Sequence, residues 1–187
     1  MSSITLSTLA IILGVGLALP QIYGLMNPQA FAASVKRFPR SVPVGIFLML
    51  LGTAWFLYNL SLESISDFAS WKTWLFAGFA GVGIGTCIFV QDFLAVRGLA
   101  VVFLLLAKLM VDAGRPHLDS GWVLLFQGWA YLLVIAGIWF TVSPWRLRDL
   151  LDWSTRNEKR IKVGCGVRLA FGIFIAALGF TVFKASA

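Results

Sequence analysis

Lys108 and Asp112 stand four residues apart in an otherwise apolar run, with Arg115 three further on and Asp92 and Arg97 just upstream. A base and an acid at i,i+4 share one helix face. Charges sunk in apolar sequence are kept because they pair, because their heads reach an interface, or because ions or polar substrates move past them. Pairing is the simpler reading, since each of these charges lies close to the end of a run and has an opposite charge nearby. The functional reading is a polar path lined by Arg97, Lys108 and Asp112, to which Gln21, Gln127 and Arg168 could add.

His117 is the only histidine, in Arg115-Pro116-His117-Leu118-Asp119. One His beside one Asp completes neither a conventional metal site nor a positioned acid–base pair. We therefore expect no metal and no cofactor. Asp112, His117 and Asp119 form the one cluster that a lipid-acting enzyme could use. Cys87 and Cys165 stand outside any CxxC motif and read as small packing residues. The chain has no P-loop, GxGxxG, HExxH or GxSxG motif, so it is expected not to be an enzyme.

The elements that must position these residues are set by composition. Of 187 residues, 59% are hydrophobic and 12% charged, and the mean hydropathy is +0.89. Too little polar material is present to cover a water-soluble domain, so lipid is the solvent. The expected fold is all-α: a polytopic helical membrane protein with six transmembrane helices, two cytoplasmic amphipathic segments and a parallel internal repeat. The spans are read as Ile4–Met26, Val42–Leu60, Trp74–Val90, Leu99–Ala113, Gly121–Val142 and Val163–Phe183. The third and fourth are short, either a tight hairpin turning through Gln91, Asp92 and Arg97 or a re-entrant pair. The first lacks the basic n-region of a secretory signal and is kept as a membrane helix.

Basic residues set the orientation. Lys36, Arg37, Arg40, Arg97, Arg146, Arg148, Arg156, Lys159, Arg160 and Lys162 fall on one side; Lys72 and Arg115 fall on the other with Glu63, Asp67 and Asp119. The richer side is expected to be cytoplasmic, which places both termini outside. The net charge of +7 is then mainly a topology signal. It predicts attraction to anionic lipid headgroups and gives no reason to expect nucleic acid. Lys36, Arg37, Arg40, Arg146 and Arg148 would meet those headgroups. Trp145 and Trp153 would sit at the same level, as would Trp71, Trp74 and Trp122 near other interfaces. Arg148 and Asp152 are spaced for an i,i+4 pair.

Gly45-Ile46-Phe47 with Leu51-Gly52 and Phe56 matches Gly172-Ile173-Phe174 with Leu178-Gly179 and Phe183 at identical spacing. Each is preceded by a polar cap and a proline, Asn27-Pro28 and Ser143-Pro144, which start helices. Phe31 and Val35 are in step with Leu147 and Leu151. Each copy thus reads as span, surface helix, span, with Gly45, Gly52, Gly172 and Gly179 as its marks. The second copy carries 11 extra residues between the proline and Gly-Ile-Phe. Both copies have the same sense, a parallel repeat. The chain is expected to be one membrane domain, 1–187: copy one about 4–60, a central hairpin about 72–113, copy two about 121–184. The third span carries Gly78, Gly81, Gly83 and Gly85, with a GxxxG at Gly81 and Gly85. Small residues four apart let helices approach, within the chain or between copies.

The segments Pro28–Phe56 and Pro144–Phe183 resemble the YjeT-like (DUF2065) family of short bacterial two-helix membrane proteins, whose pattern is helix, Pro-x-x-aromatic basic linker, Gly-containing helix. The likeness covers about a third of the chain and departs from the family in length and in the central hairpin. It implies a bacterial inner-membrane setting and brings no activity with it. Three functions follow: a non-catalytic scaffold, accessory subunit or assembly factor with a protein partner or homo-oligomer; a small transporter or channel with a polar path along the fourth span; and a lipid-acting membrane enzyme.

Overall fold

The structure is a computed structural model that describes residues 4–63, 71–118 and 120–185. Asp67 and Asp119, assigned above to outward loops, lie outside the described residues. In chain order the helices are α1 (Leu6–Met26), α2 (Pro28–Arg37), α3 (Val42–Leu62), α4 (Lys72–Phe89), α5 (Leu94–Gly114), α6 (Gly121–Val142), α7 (Trp145–Ser154), α8 (Glu158–Phe180) and α9 (Val182–Ala185). Short 3-10 turns at Phe38–Arg40 and Arg115–His117 join α2 to α3 and follow α5. No strand occurs among the described residues. Six helices, α1, α3, α4, α5, α6 and α8, are long and apolar enough to cross a membrane. The chain is an all-α, polytopic integral membrane protein.

Local chemistry explains the boundaries. The Thr5 hydroxyl accepts from Thr8 N and opens α1. Proline stands at the first helical position of α2 and within the first two of α3, where its missing N–H is no loss. Lys72 Nζ donates to Ser61 O (3.0 Å) and Glu63 O (3.1 Å), satisfying carbonyls at the C-terminal end of α3.

Two boundaries differ from the sequence reading. The fourth span starts at Leu94, so Arg97 sits one turn inside α5 rather than in the connecting turn. The turn is completed earlier, at Asp92 and Phe93, with Phe93 at φ 52°, and Phe93 O then accepts from Arg97 N at 3.1 Å. The last span starts at Glu158, because extended Asn157 precedes it and an acid in the first turn suits the helix dipole. Lys159, Arg160 and Lys162 are thereby helical, and Lys162 pairs with Glu158 at 2.8 Å.

The chain divides into two compact units. The first gathers α1, α2 through Lys36, α5 from Leu106, α6 through Leu133, α7 from Arg148, α8 and α9. Its centre is the α1–α8 seam. A methyl added at Gly14 would lie 2.6 Å from Gly172 O, and one added at Gly172 would lie 2.7 Å from Gly14 O. Ser7 Oγ closes the far end by donating to Gly179 O at 2.8 Å. Ala10, Gly14 and Ala18, each four apart, form the small face of α1 that this approach requires. Around the seam, Phe126 packs edge-on to Phe183 and Trp129, and Trp129 to Phe171.

The second unit gathers α3, α4, α5 through Leu105 and α6 from Val134. Its core is Met49, Cys87 and Leu94, with Ile46 and Val101 against them. Gly45 meets Leu94 and Ala95; Gly98 meets Leu48 and Met49; Gly52 meets the Val101 side chain; Gly83 meets Thr53.

Candidate functional site

Within the second unit, α3, α4, α5 and α6 enclose a cavity of about 330 Å³. Met49, Phe56, Phe79, Val82 and Val101 give it apolar walls, and Thr53, Thr86, Thr141 and Arg97 line it as well. Phe56 and Phe79 form one wall, their centroids 4.7 Å apart. Each threonine hydroxyl donates to its own helix: Thr53 to Met49 O (2.8 Å), Thr86 to Val82 O (2.7 Å), Thr141 to Gly137 O (2.8 Å). Such bonds satisfy the hydroxyl without a partner from another helix. Arg97 differs, because its Nε is buried and meets no acceptor among the described residues. Arg97 is the one charged side chain among the described residues that line this cavity.

Lys108 and Asp112 bond to each other at 2.7 Å, both about half exposed. Arg115 is exposed in the 3-10 turn that follows α5, and Asp92 is exposed in the turn before it. Gln127 Nε2 donates to Val111 O at 3.2 Å, tying α6 to α5, while Gln127 Oε1 and Gln21 Oε1 are buried without partners. Among the described residues no three His, Cys, Asp or Glu come together as a metal site would need.

The surface helices carry the basic residues as the charge pattern predicts, with one correction. Arg148 does not pair with Asp152. Its Nε and Nη2 both bond the adjacent Asp149 Oδ1, at 3.1 and 2.9 Å. Asp152 is left to Lys36 of α2, at 3.4 Å. Lys36, Arg37, Arg40, Arg146, Trp145 and Trp153 are all exposed.

A second cavity, about 450 Å³, lies in the first unit where α7 ends and α8 begins. Trp153, Lys159, Arg160 and Arg168 contribute to its lining. The Arg160 guanidinium lies 5.2 Å from the Trp153 ring centroid. Arg168 folds back toward the start of α8, with Nη2 3.9 Å from a methyl placed on Gly164. This is the snorkelling direction for a cation about three turns into α8.

The glycines sort into two classes. Gly45, Gly52, Gly172 and Gly179 are sealed against neighbouring helices. Gly78 and Gly81 of α4 have nothing within 4 Å of an added methyl, and Gly85 meets only Phe89 of its own helix. The sequence reading missed the three cavity threonines. Their signal was present: each is a hydroxyl set in an apolar span. Comparison with protein-family models, with curated proteins and with solved structures gave no match.

Proposed function

We propose that this chain is a non-catalytic membrane component, a scaffold, accessory subunit or assembly factor, that works as an assembly of copies joined through α4. The observation that carries this reading is the open glycine face of α4. Gly78, Gly81 and Gly85 are three and four apart, so they form one stripe, and among the described residues none meets another helix. Trp74, Ile88 and Phe89 stand exposed beside it as ridges. A groove flanked by its own ridges is self-complementary, which suits a two-fold pair of identical helices.

The same proposal includes a bacterial inner membrane, with the α2 and α7 side cytoplasmic; the charge bias and the YjeT-like resemblance support it. A parallel duplication is supported by Gly45/Gly52 and Gly172/Gly179, which seat against α5 and α1 respectively. Anionic headgroups are the proposed lipid partner, at Lys159, Arg160 and Arg168.

The test is self-association in bilayers, followed by energy transfer between labelled copies across protein-to-lipid ratios. Wild type should pair, and Gly81→Leu should reduce pairing at least tenfold with unchanged melting. Pairing that survives Gly81→Leu, or a wild type that stays monomeric at all ratios, would overturn the reading. The alternative, transport along α5, has Arg97 in its favour, while Lys108 and Asp112 are bonded to each other. It predicts loss of flux in Lys108→Ala or Asp112→Ala with folding preserved.

A further inference from the structure

The Arg97 cavity has a polarity that runs along the membrane normal. Arg97 is three residues into α5, Thr86 is three residues from the end of α4, and Thr141 is one from the end of α6. All three therefore sit at the same end of their spans, near headgroup level. Phe79 is 10 residues from the end of α4, about 15 Å deeper along the helix axis. One end of the cavity thus offers a cation and the other offers aromatic and aliphatic walls. Val82, 67% exposed, marks where the wall opens sideways.

The donor count decides what fits. The three threonine protons are spent on their own backbones. Arg97 is the one charged side chain among the lining residues; its Nε is buried without an acceptor, and no carboxylate among the described residues pairs with the guanidinium within 4.0 Å. A neutral occupant would leave the charge uncompensated. A small, fully hydrated anion would leave the apolar walls unmatched. An occupant with an anionic oxygen head and a hydrocarbon chain satisfies both, and the volume lies in the ~300–1,000 Å³ range of ligand sites.

We propose that this cavity binds an anionic amphiphile, its carboxylate or phosphate oxygens accepting from Arg97 and its chain lying against Phe56, Phe79 and Val82. The site is separable from assembly through α4 at Gly81, which lies on the side of that helix opposite the cavity-lining Phe79, Gly83 and Thr86.

The experiment uses the full chain, delipidated in a neutral detergent, with native mass spectrometry and thermal melting as readouts. Four probes are added separately: palmitate, phosphatidylglycerol, phosphatidylcholine and inorganic phosphate. Palmitate or phosphatidylglycerol should bind at one per chain and raise the melting temperature. Binding of palmitate alone identifies a single-chain acid; binding of phosphatidylglycerol alone identifies a phospholipid. Arg97→Gln should weaken binding at least tenfold, and Arg97→Lys should keep part of it. Thr86→Phe should block the cavity while leaving the cation in place, which keeps the test decisive if Arg97→Gln fails to fold. Gly81→Leu should bind as wild type does. Equal binding of phosphatidylcholine, stabilisation by inorganic phosphate alone, or unchanged binding in both Arg97→Gln and Thr86→Phe would overturn the proposal.

Discussion

The α1–α8 seam and the packed core of the second unit use glycine differently. In the first, Gly14 and Gly172 face each other's backbone carbonyls, and Gly179 faces Ser7 O. Main chains meet directly, and Ser7 adds a hydrogen bond across the seam. In the second, Gly52 and Gly83 face side chains, of Val101 and Thr53, while Gly45 and Gly98 meet side chain and backbone together, at Leu94 with Ala95 and at Leu48 with Met49. A cavity remains beside them. Lipid offers helices little hydrophobic drive to associate, so close packing carries most of the stability. The first arrangement suits a structural seam. The second gives up some packing and gains room for an occupant.

Substitutions that add volume separate the two arrangements most strongly. Gly172→Leu pushes a side chain into the α1 backbone, which cannot move without moving the helix. It should destabilise by ~3 kcal/mol or more, the upper end of overpacking effects, and leave little folded protein in a denaturant titration in detergent. Gly52→Ala meets only Val101 Cγ1 and Cβ at short range, and a side chain gives way more readily; ~1 kcal/mol is expected. Gly78→Ala has open space within its own chain and should be neutral or slightly stabilising for the fold of one copy, since alanine favours helix by up to ~1 kcal/mol. Equal effects at Gly172 and Gly52 would mean that the units do not differ as described.

Arg97 gives the next effect, of opposite sign. Removing an unsatisfied buried donor with its charge relieves a penalty of about 1–3 kcal/mol. Arg97→Leu should therefore raise the melting temperature of the delipidated protein, by an amount equivalent to ~1 kcal/mol after partial exposure is allowed for. Added anionic amphiphile should then stabilise wild type alone. A lower melting temperature for Arg97→Leu would show that Arg97 has a structural partner.

Much of this was readable from sequence. Lipid tolerates few backbone solutions, so composition and run length gave six helices and most of their limits. Gly45/Gly52 and Gly172/Gly179 were legible as marks of matching spacing, and the structure adds that each faces a neighbouring helix. What each face meets was not readable: α1 for one copy and α5 for the other depend on tertiary contacts that spacing does not encode. Arg97 was misplaced for a local reason. Phe93 adopts a left-handed conformation uncommon for a bulky residue, so the turn closes earlier than any Gly or Pro would announce. The cavity also escaped notice, because Met49, Phe79 and Val82 are ordinary residues of apolar helices whose convergence appears only in three dimensions.

Two smaller tests sharpen the comparison. Ser7→Ala removes the hydrogen bond across the α1–α8 seam while keeping its shape. Interhelical bonds of this type average ~0.6 kcal/mol in membranes, and Ser7→Ala should cost about that, far less than Gly172→Leu. A loss as large as that of Gly172→Leu would assign the seam to polar bonding rather than close approach.

The Lys108–Asp112 pair should give the smallest effect, and its size measures the depth of these charges. Both side chains are about half exposed at 2.7 Å separation. Asp112 is two residues from the end of α5, about 3 Å along the axis, so the pair belongs at headgroup level if α5 crosses fully. There, solvent screens it, and the acid lies C-terminal to the base, the weaker order on a helix. A double-mutant cycle with Lys108→Met and Asp112→Leu should return a coupling of ~0.3–0.5 kcal/mol. The cycle can be run by melting in detergent and repeated at raised salt, where the coupling should shrink. A coupling several times larger and insensitive to salt would place the pair away from water. The polar path along α5 would then gain a charge pair held away from water, and Arg97 would no longer be the exception among the charged residues of this helix.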